Sequence, residues 1–130
     1  MPGPEQMLDR EDAKILTLAR VAQQRSYAPY TGVGEGAAVR DTDGRTYAAA
    51  TVENADERLT LSAVRAALAA AVSSGARRFE AIALVSPHSV LCADDVATVA
   101  EFGGPTPVLL AALDGVLVRT VHVGAEADRT

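Results

Sequence analysis

Apolar residues recur at Leu8, Ile15, Leu16, Ala19 and Ala22, a spacing that lays one stripe along a helix and stops before Pro29. Asp9, with Asp12 three residues on, caps the start of that helix. The period then shortens. Gly32-Val33-Gly34-Glu35-Gly36 leads into an apolar run over 37–40, Asp43-Gly44 marks a hairpin, and 45–52 supplies its second strand. Glycines at that spacing would suit a phosphate loop only with a strand before them and a helix after; neither is present, so they read as a flexible lead-in to the strand. An alanine-rich stretch over 59–74, with Thr60 near its start and Gly75 just beyond its end, predicts a second helix. Residues 79–85 are apolar on both faces, as in a covered strand. A third helix is predicted over 92–102, stopped by Gly103-Gly104-Pro105, and 107–111 and 116–121 flank Leu113-Asp114-Gly115 as two last strands. The order βαβαβ after an initial hairpin implies an α/β protein: a three-layer α/β/α sandwich on a mixed five-stranded sheet. Periodicity alone leaves its topology open.

Composition narrows the class. With 130 residues, 48% hydrophobic and 22% charged, the chain reads as one domain over 9–123 with tails at 1–8 and 124–130. Net charge is −5, and the twelve basic residues, of which only Lys14 is a lysine, are scattered, so no nucleic-acid or membrane partner is indicated. Met1-Pro2-Gly3-Pro4-Glu5 lacks the basic region and apolar core of a secretion signal, and no apolar run approaches the ~20 residues of a membrane span, which points to the cytoplasm. The single cysteine, Cys92, excludes an internal disulfide and a multi-thiolate metal site within one subunit; it reads as a small buried residue, the commoner role, or as a thiol lining a pocket.

Collinear blocks carry the specific signal. They are 26–39, SYAPYTGVGEGAAV; 51–60, TVENADERLT; 60–65, TLSAVR; Cys92-Ala93-Asp94-Asp95; and Ala100-Glu101-Phe102-Gly103. In order and near-spacing, from about Ala13 to Val121, they resemble the zinc-dependent cytidine deaminase family. Its members read A-Y-A-P-Y-S-x-F-x-V-G-A-A-L, N-V-E-N-A-S-Y-G-L-T-x-C-A-E-R, P-C-G-x-C-R-Q and A-E-F-G. The resemblance implies the family's mixed sheet and, for its small members, homo-oligomers (dimers or tetramers) whose sites neighbouring subunits complete.

The resemblance also implies a zinc ion on three protein ligands, an open position for water, and a nearby Glu that shuttles protons. Position by position the ligands fall on Ser62, Cys92 and Asp95, and the Glu falls on Val64. Zinc lowers the pKa of its water from about 15.7 to about 7, and acid–base catalysis adds ~10²- to 10⁴-fold. The expectation is therefore a chain without cofactor, metal or catalytic residue for that reaction. A set of His88, Cys92 and Asp95 is the one alternative metal site.

By the same resemblance, ligand contact is assigned to Val33, Thr51, Glu53, Ala63 and Arg65. Val33 stands for a Phe that stacks on the base, a contact worth ~1–3 kcal/mol; Thr51 stands for an Asn that meets the ribose, and Glu53 keeps its partner carboxylate. Glu53 also reads as a solvated or capping residue. Arg65, whose family counterpart offsets thiolate charge, is expected to pair with Asp95, Asp94 or Glu57. Two functions follow: a non-catalytic module that binds a nucleoside or base or interacts as a homo-oligomer, and a divergent hydrolase or cytidine deaminase working through a rebuilt centre on Cys92, Asp94 or Asp95.

Overall fold

The computed structural model describes residues 8–124; the expected tails, apart from Leu8 and Gly124, lie outside that range. Three helices, α1 (Arg10–Gln23), α2 (Ala63–Ser73) and α3 (Ala93–Ala100), accompany five strands, β1 (Gly36–Asp41), β2 (Thr46–Ala50), β3 (Phe79–Val85), β4 (Thr106–Ala111) and β5 (Leu117–Val123). The strands form one mixed sheet in the order β2-β1-β3-β4-β5, in which only β3 and β4 run parallel. This is the expected three-layer sandwich.

Helix α1 forms where the stripe placed it. The Asp9 carboxylate accepts the Asp12 amide at 2.8 Å, Glu11 and Asp12 sit in the first turn, and Arg20 in the last, each favourable to the helix dipole. Ile15, Leu16 and Ala19 are buried against Ala38, Ala81, Ala83, Val85, Leu109 and Ala111 on one face of the sheet. The opposite face carries Ala37, Val39, Ile82, Leu84, Val108 and Leu110, which pack under Val64, Ala67, Leu68 and Ala71 of α2 and Val99 of α3. Strand alternation accounts for this division: on β1, residues 37 and 39 face α2 and α3, and residue 38 faces α1. No described helix is long and apolar enough to cross a membrane.

The expected boundaries shift at both later helices. Helix α2 begins at Ala63 rather than at 59, because Glu57–Leu59 closes a 3₁₀ turn and Leu61 pairs with Val52 through two backbone hydrogen bonds of 2.9 and 3.0 Å. Ser62, not Thr60, is its N-cap. Helix α3 is shorter than 92–102, with Cys92 as its N-cap residue. The hairpin loop is organised by Asp41 as well as by Asp43-Gly44: the Asp41 carboxylate accepts the amides of Asp43 and Arg45 at 3.0 and 2.9 Å and the Tyr47 hydroxyl at 3.1 Å.

Gly34 and Gly36 serve close approach rather than flexibility. A Cβ on Gly36 would lie 2.2 Å from both the Ala19 carbonyl oxygen and the Gln23 nitrogen, so α1 lies backbone-to-backbone on β1; a Cβ on Gly34 would meet Ser26 at 2.7 Å. Gly36→Ala should force α1 off the sheet and lower stability by about 3 kcal/mol or more, read as the shift in the denaturant midpoint. Unchanged stability would disprove the close packing.

Candidate functional site

The N-termini of α2 and α3 converge on one point, and the polar residues there satisfy one another. The Ser62 hydroxyl donates to Asp95 Oδ1 at 2.7 Å and accepts from the Arg65 backbone N–H and from Arg65 Nε, both at 3.1 Å. Asp95 stands in the first turn of α3 with only 2% of its surface exposed, where the helix N-terminus favours a carboxylate. Arg65 Nε lies 3.9 Å from Asp95 Oδ1. The expected Arg65–Asp95 pairing is therefore present at the edge of ion-pair distance, and the closer partner of both is Ser62.

Around this triad the remaining positions differ in character. Cys92 is exposed, a correction to the expectation that it is buried: it is the N-cap residue of α3, and the buried residues of that helix are Asp95 and Val99. Local desolvation of its sulfur and the Asp95 charge push the thiol up, against the opposing effect of the Asp95 and Asp94 backbone N–H groups, so it is neutral near pH 7. Val64 and Ala63 are fully buried, and Val64 packs with Ala37 and Val39. Among the described residues, no three His, Cys, Asp or Glu side chains come together in a way that could hold a metal ion, and His88, Cys92 and Asp95 are not such a group.

Sequence reasoning missed Glu35. Extending the β1–β3 register of Gly36 opposite Val85 by one step sets Glu35 against Ser86, on the same face of the sheet as Ala37 and Val39. Burial raises the Glu35 carboxyl above its ordinary value of 4.5, the Ser86 hydroxyl opposes that, the Asp95 charge adds to it, and His88 works weakly against it. Ser86 is itself fully buried and accepts the His88 amide at 3.1 Å. The available signal was the family motif, which has Val where this chain has Glu35.

Glu35 lines a cleft of about 470 Å³ together with Val33, Thr51 and His88. Thr51 is buried, its hydroxyl accepting the Glu35 amide at 2.9 Å, and Val33 is exposed. Glu53 belongs to a neighbouring cavity of about 400 Å³ with Tyr30, Asn54 and Thr60. Its carboxylate accepts the Thr31 hydroxyl and the amides of Tyr30, at 2.8 Å, and Thr31, at 3.2 Å. The Thr31 hydroxyl first, then those amides, hold Glu53 below the ordinary carboxyl range despite its burial. The structure thus brings Val33 and Thr51 to one cleft, Glu53 to the next, and Ala63 and Arg65 to the helix N-termini behind them.

Comparison with known proteins places the geometry. Residues 8–115 match the cytidine deaminase-like family model. A cytidine deaminase of Sporosarcina psychrophila is 35% identical over 112 residues, 82% of each chain. The crystal structure of a cytidine deaminase from Burkholderia pseudomallei superposes with a TM-score of 0.80 at 31% identity, covering 90% of this chain and 94% of that one. That of Mycobacterium tuberculosis gives 0.76 at 29% identity, covering 89% and 93%.

Two outcomes test the site. Ser62→Ala uncaps α2 and removes the short donor to a buried carboxylate, and should lower stability by about 2–4 kcal/mol in denaturant unfolding; a loss below about 0.5 kcal/mol would show the contact to be idle. Glu35→Val removes a carboxyl that binds its proton more tightly folded than unfolded. Such a group destabilises progressively as pH rises above about 4.5. The variant should be the more stable protein, by a margin that widens from about pH 4 towards 7 in thermal melts; a constant margin would contradict the burial of Glu35.

Proposed function

This chain belongs to the cytidine deaminase-like family, and on that premise we propose that it is a non-catalytic binder of a nucleoside or nucleobase, keeping the fold and a nucleoside-sized cleft without the zinc reaction. The observation that carries this reading is the 2.7 Å hydrogen bond from Ser62 to Asp95. It joins two of the positions that the family motif gives to zinc.

The residues present do not fit that ion. Ser62 offers a neutral hydroxyl already committed to three partners, the Cys92 thiol is neutral, and the single Asp95 carboxylate faces the Arg65 guanidinium. One negative and one positive charge already balance, so a divalent cation would enter a site with no net charge to attract it. Fully buried Val64 neither takes nor gives a proton. Self-association and a cytoplasmic setting are part of the proposal; exposed Val52, Leu59 and Leu61, on the segment that leads into α2, form an apolar surface suited to a second copy.

A second reading, a hydrolase or deaminase with a rebuilt centre, is favoured by the Glu35 carboxyl in the cleft and by the names of the relatives. One set of measurements separates the two. The purified protein should contain far less than one zinc per subunit, leave cytidine and deoxycytidine unchanged in an ultraviolet assay, and melt higher with nucleoside present. Ligand at 100 times Kd stabilises by about 2.7 kcal/mol. Stoichiometric zinc, or release of ammonia, would overturn the non-catalytic reading; light scattering at the mass of one subunit would remove the self-association.

A further inference from the structure

A separate cleft lies along α1, on the opposite side of the sheet from Glu35. Helix α1 and the turn between β4 and β5 enclose about 410 Å³, with Ala13, Leu16 and Val21 as apolar lining and with Arg20, Asp114 and Gly115 in the same wall. Leu16 belongs to the core cluster under α1, so the sheet itself separates this space from the nucleoside cleft. Every one of these residues also lies outside the motif blocks that carry the family resemblance.

Two opposite charges line the cleft without being paired to each other. Among the described residues, Arg20 and Asp114 enter no ion pair, whereas Arg40, Arg58 and Arg65 each have an acid within 3.9 Å. The Arg20 side chain rests on the turn: a Cβ on Gly115 would lie 3.1 Å from its Cδ, 3.8 Å from Nε and 3.9 Å from Nη1. Asp114 Oδ1 accepts the Val116 amide at 2.9 Å, which holds the carboxylate by one oxygen and leaves the other without a partner among the described residues. Each charge is thus held in place by its own neighbourhood with hydrogen-bonding capacity to spare.

We propose that this cleft binds a small zwitterion, an amino acid with an apolar side chain. The ligand's carboxylate takes two parallel hydrogen bonds from the Arg20 guanidinium, its ammonium group donates to Asp114, and its side chain lies on Leu16 and Val21. Charge selects this class over simpler ones. A plain anion meets Asp114 and a net charge of −5, and a plain cation meets Arg20, whereas a ligand carrying both charges is opposed by neither. The site is independent of the nucleoside reading and stands or falls apart from it.

The test is isothermal titration of the full chain at pH 7 and low ionic strength, where exposed charges are least screened. Three probes share one apolar side chain: L-leucine, 4-methylpentanoate with the carboxylate alone, and 3-methylbutylamine with the ammonium alone. Native protein should bind leucine at least about tenfold more tightly than either half. Arg20→Gln should bind leucine no better than it binds the amine, with the amine itself unchanged. Asp114→Asn, whose amide oxygen still accepts the Val116 N–H, should bind leucine no better than 4-methylpentanoate, with that acid no weaker than in native protein. Melting without ligand checks the fold of both variants, and a merely structural Arg20 or Asp114 would weaken all three probes together instead of one charge at a time. Absence of leucine binding, or leucine binding that both variants leave intact, would overturn the site; 4-methylpentanoate bound as tightly as leucine would overturn the selection of a zwitterion.

Discussion

Two helix N-termini meet in this fold, and the structure depends on what is placed between them. Each terminus carries unpaired N–H groups and a partial positive charge, so their approach requires an anion or a cap. Asp95 is that anion and Ser62 that cap, and the hydrogen bond between them serves both helices at once. Arg65, one turn into α2, answers the carboxylate from the other side. A metal with thiolate ligands is one way to tie two helix starts together. A carboxylate, a hydroxyl and a guanidinium are another, with one negative charge set against one positive.

That closure sets the character of the neighbouring cleft. With Val64 of α2 packed onto the sheet, the apolar core extends to the position where the family motif has an acid. Polarity moves outward to Glu35, Ser86 and His88, at the ends of β1 and β3. Glu53 is spent on the loop at Tyr30 and Thr31, whose amides it binds, so it shapes the wall between the two cavities. Glu35 is the one carboxyl of this region whose burial is not offset by an internal cation or several N–H groups.

Regular periods made much of the fold legible in the sequence. Helix α1 and strand β3 stand where the stripe at Ile15, Leu16 and Ala19 and the apolar run at 79–85 placed them. The start of α2 was not legible, because Thr60 and Ser62 both offer a cap and the choice of Ser62 depends on Leu61 pairing with Val52 nine residues earlier. Gly36 read as flexible because the pressure on it comes from the α1 backbone, distant in sequence. The substituted ligand positions were plain from the motif. How Ser62, Arg65 and Asp95 bond to one another was only partly so: the Arg65–Asp95 pairing followed from charge, and the bridging hydroxyl did not. Glu35 was written in the motif too, as an acid where Val stands, but its meaning lies in a register that sets it against Ser86 and on the side of Val64.

Glu35 and the polar set at the helix junction share one electrostatic environment. Two like charges about 4 Å apart cost about 4 kcal/mol at the effective dielectric of a protein surface. Beside a single Asp95 already answered by Ser62 and Arg65, the Glu35 carboxylate meets one screened charge. Glu35 is therefore compatible with this helix junction, where the neighbouring carboxylate is already answered by a hydroxyl and a guanidinium.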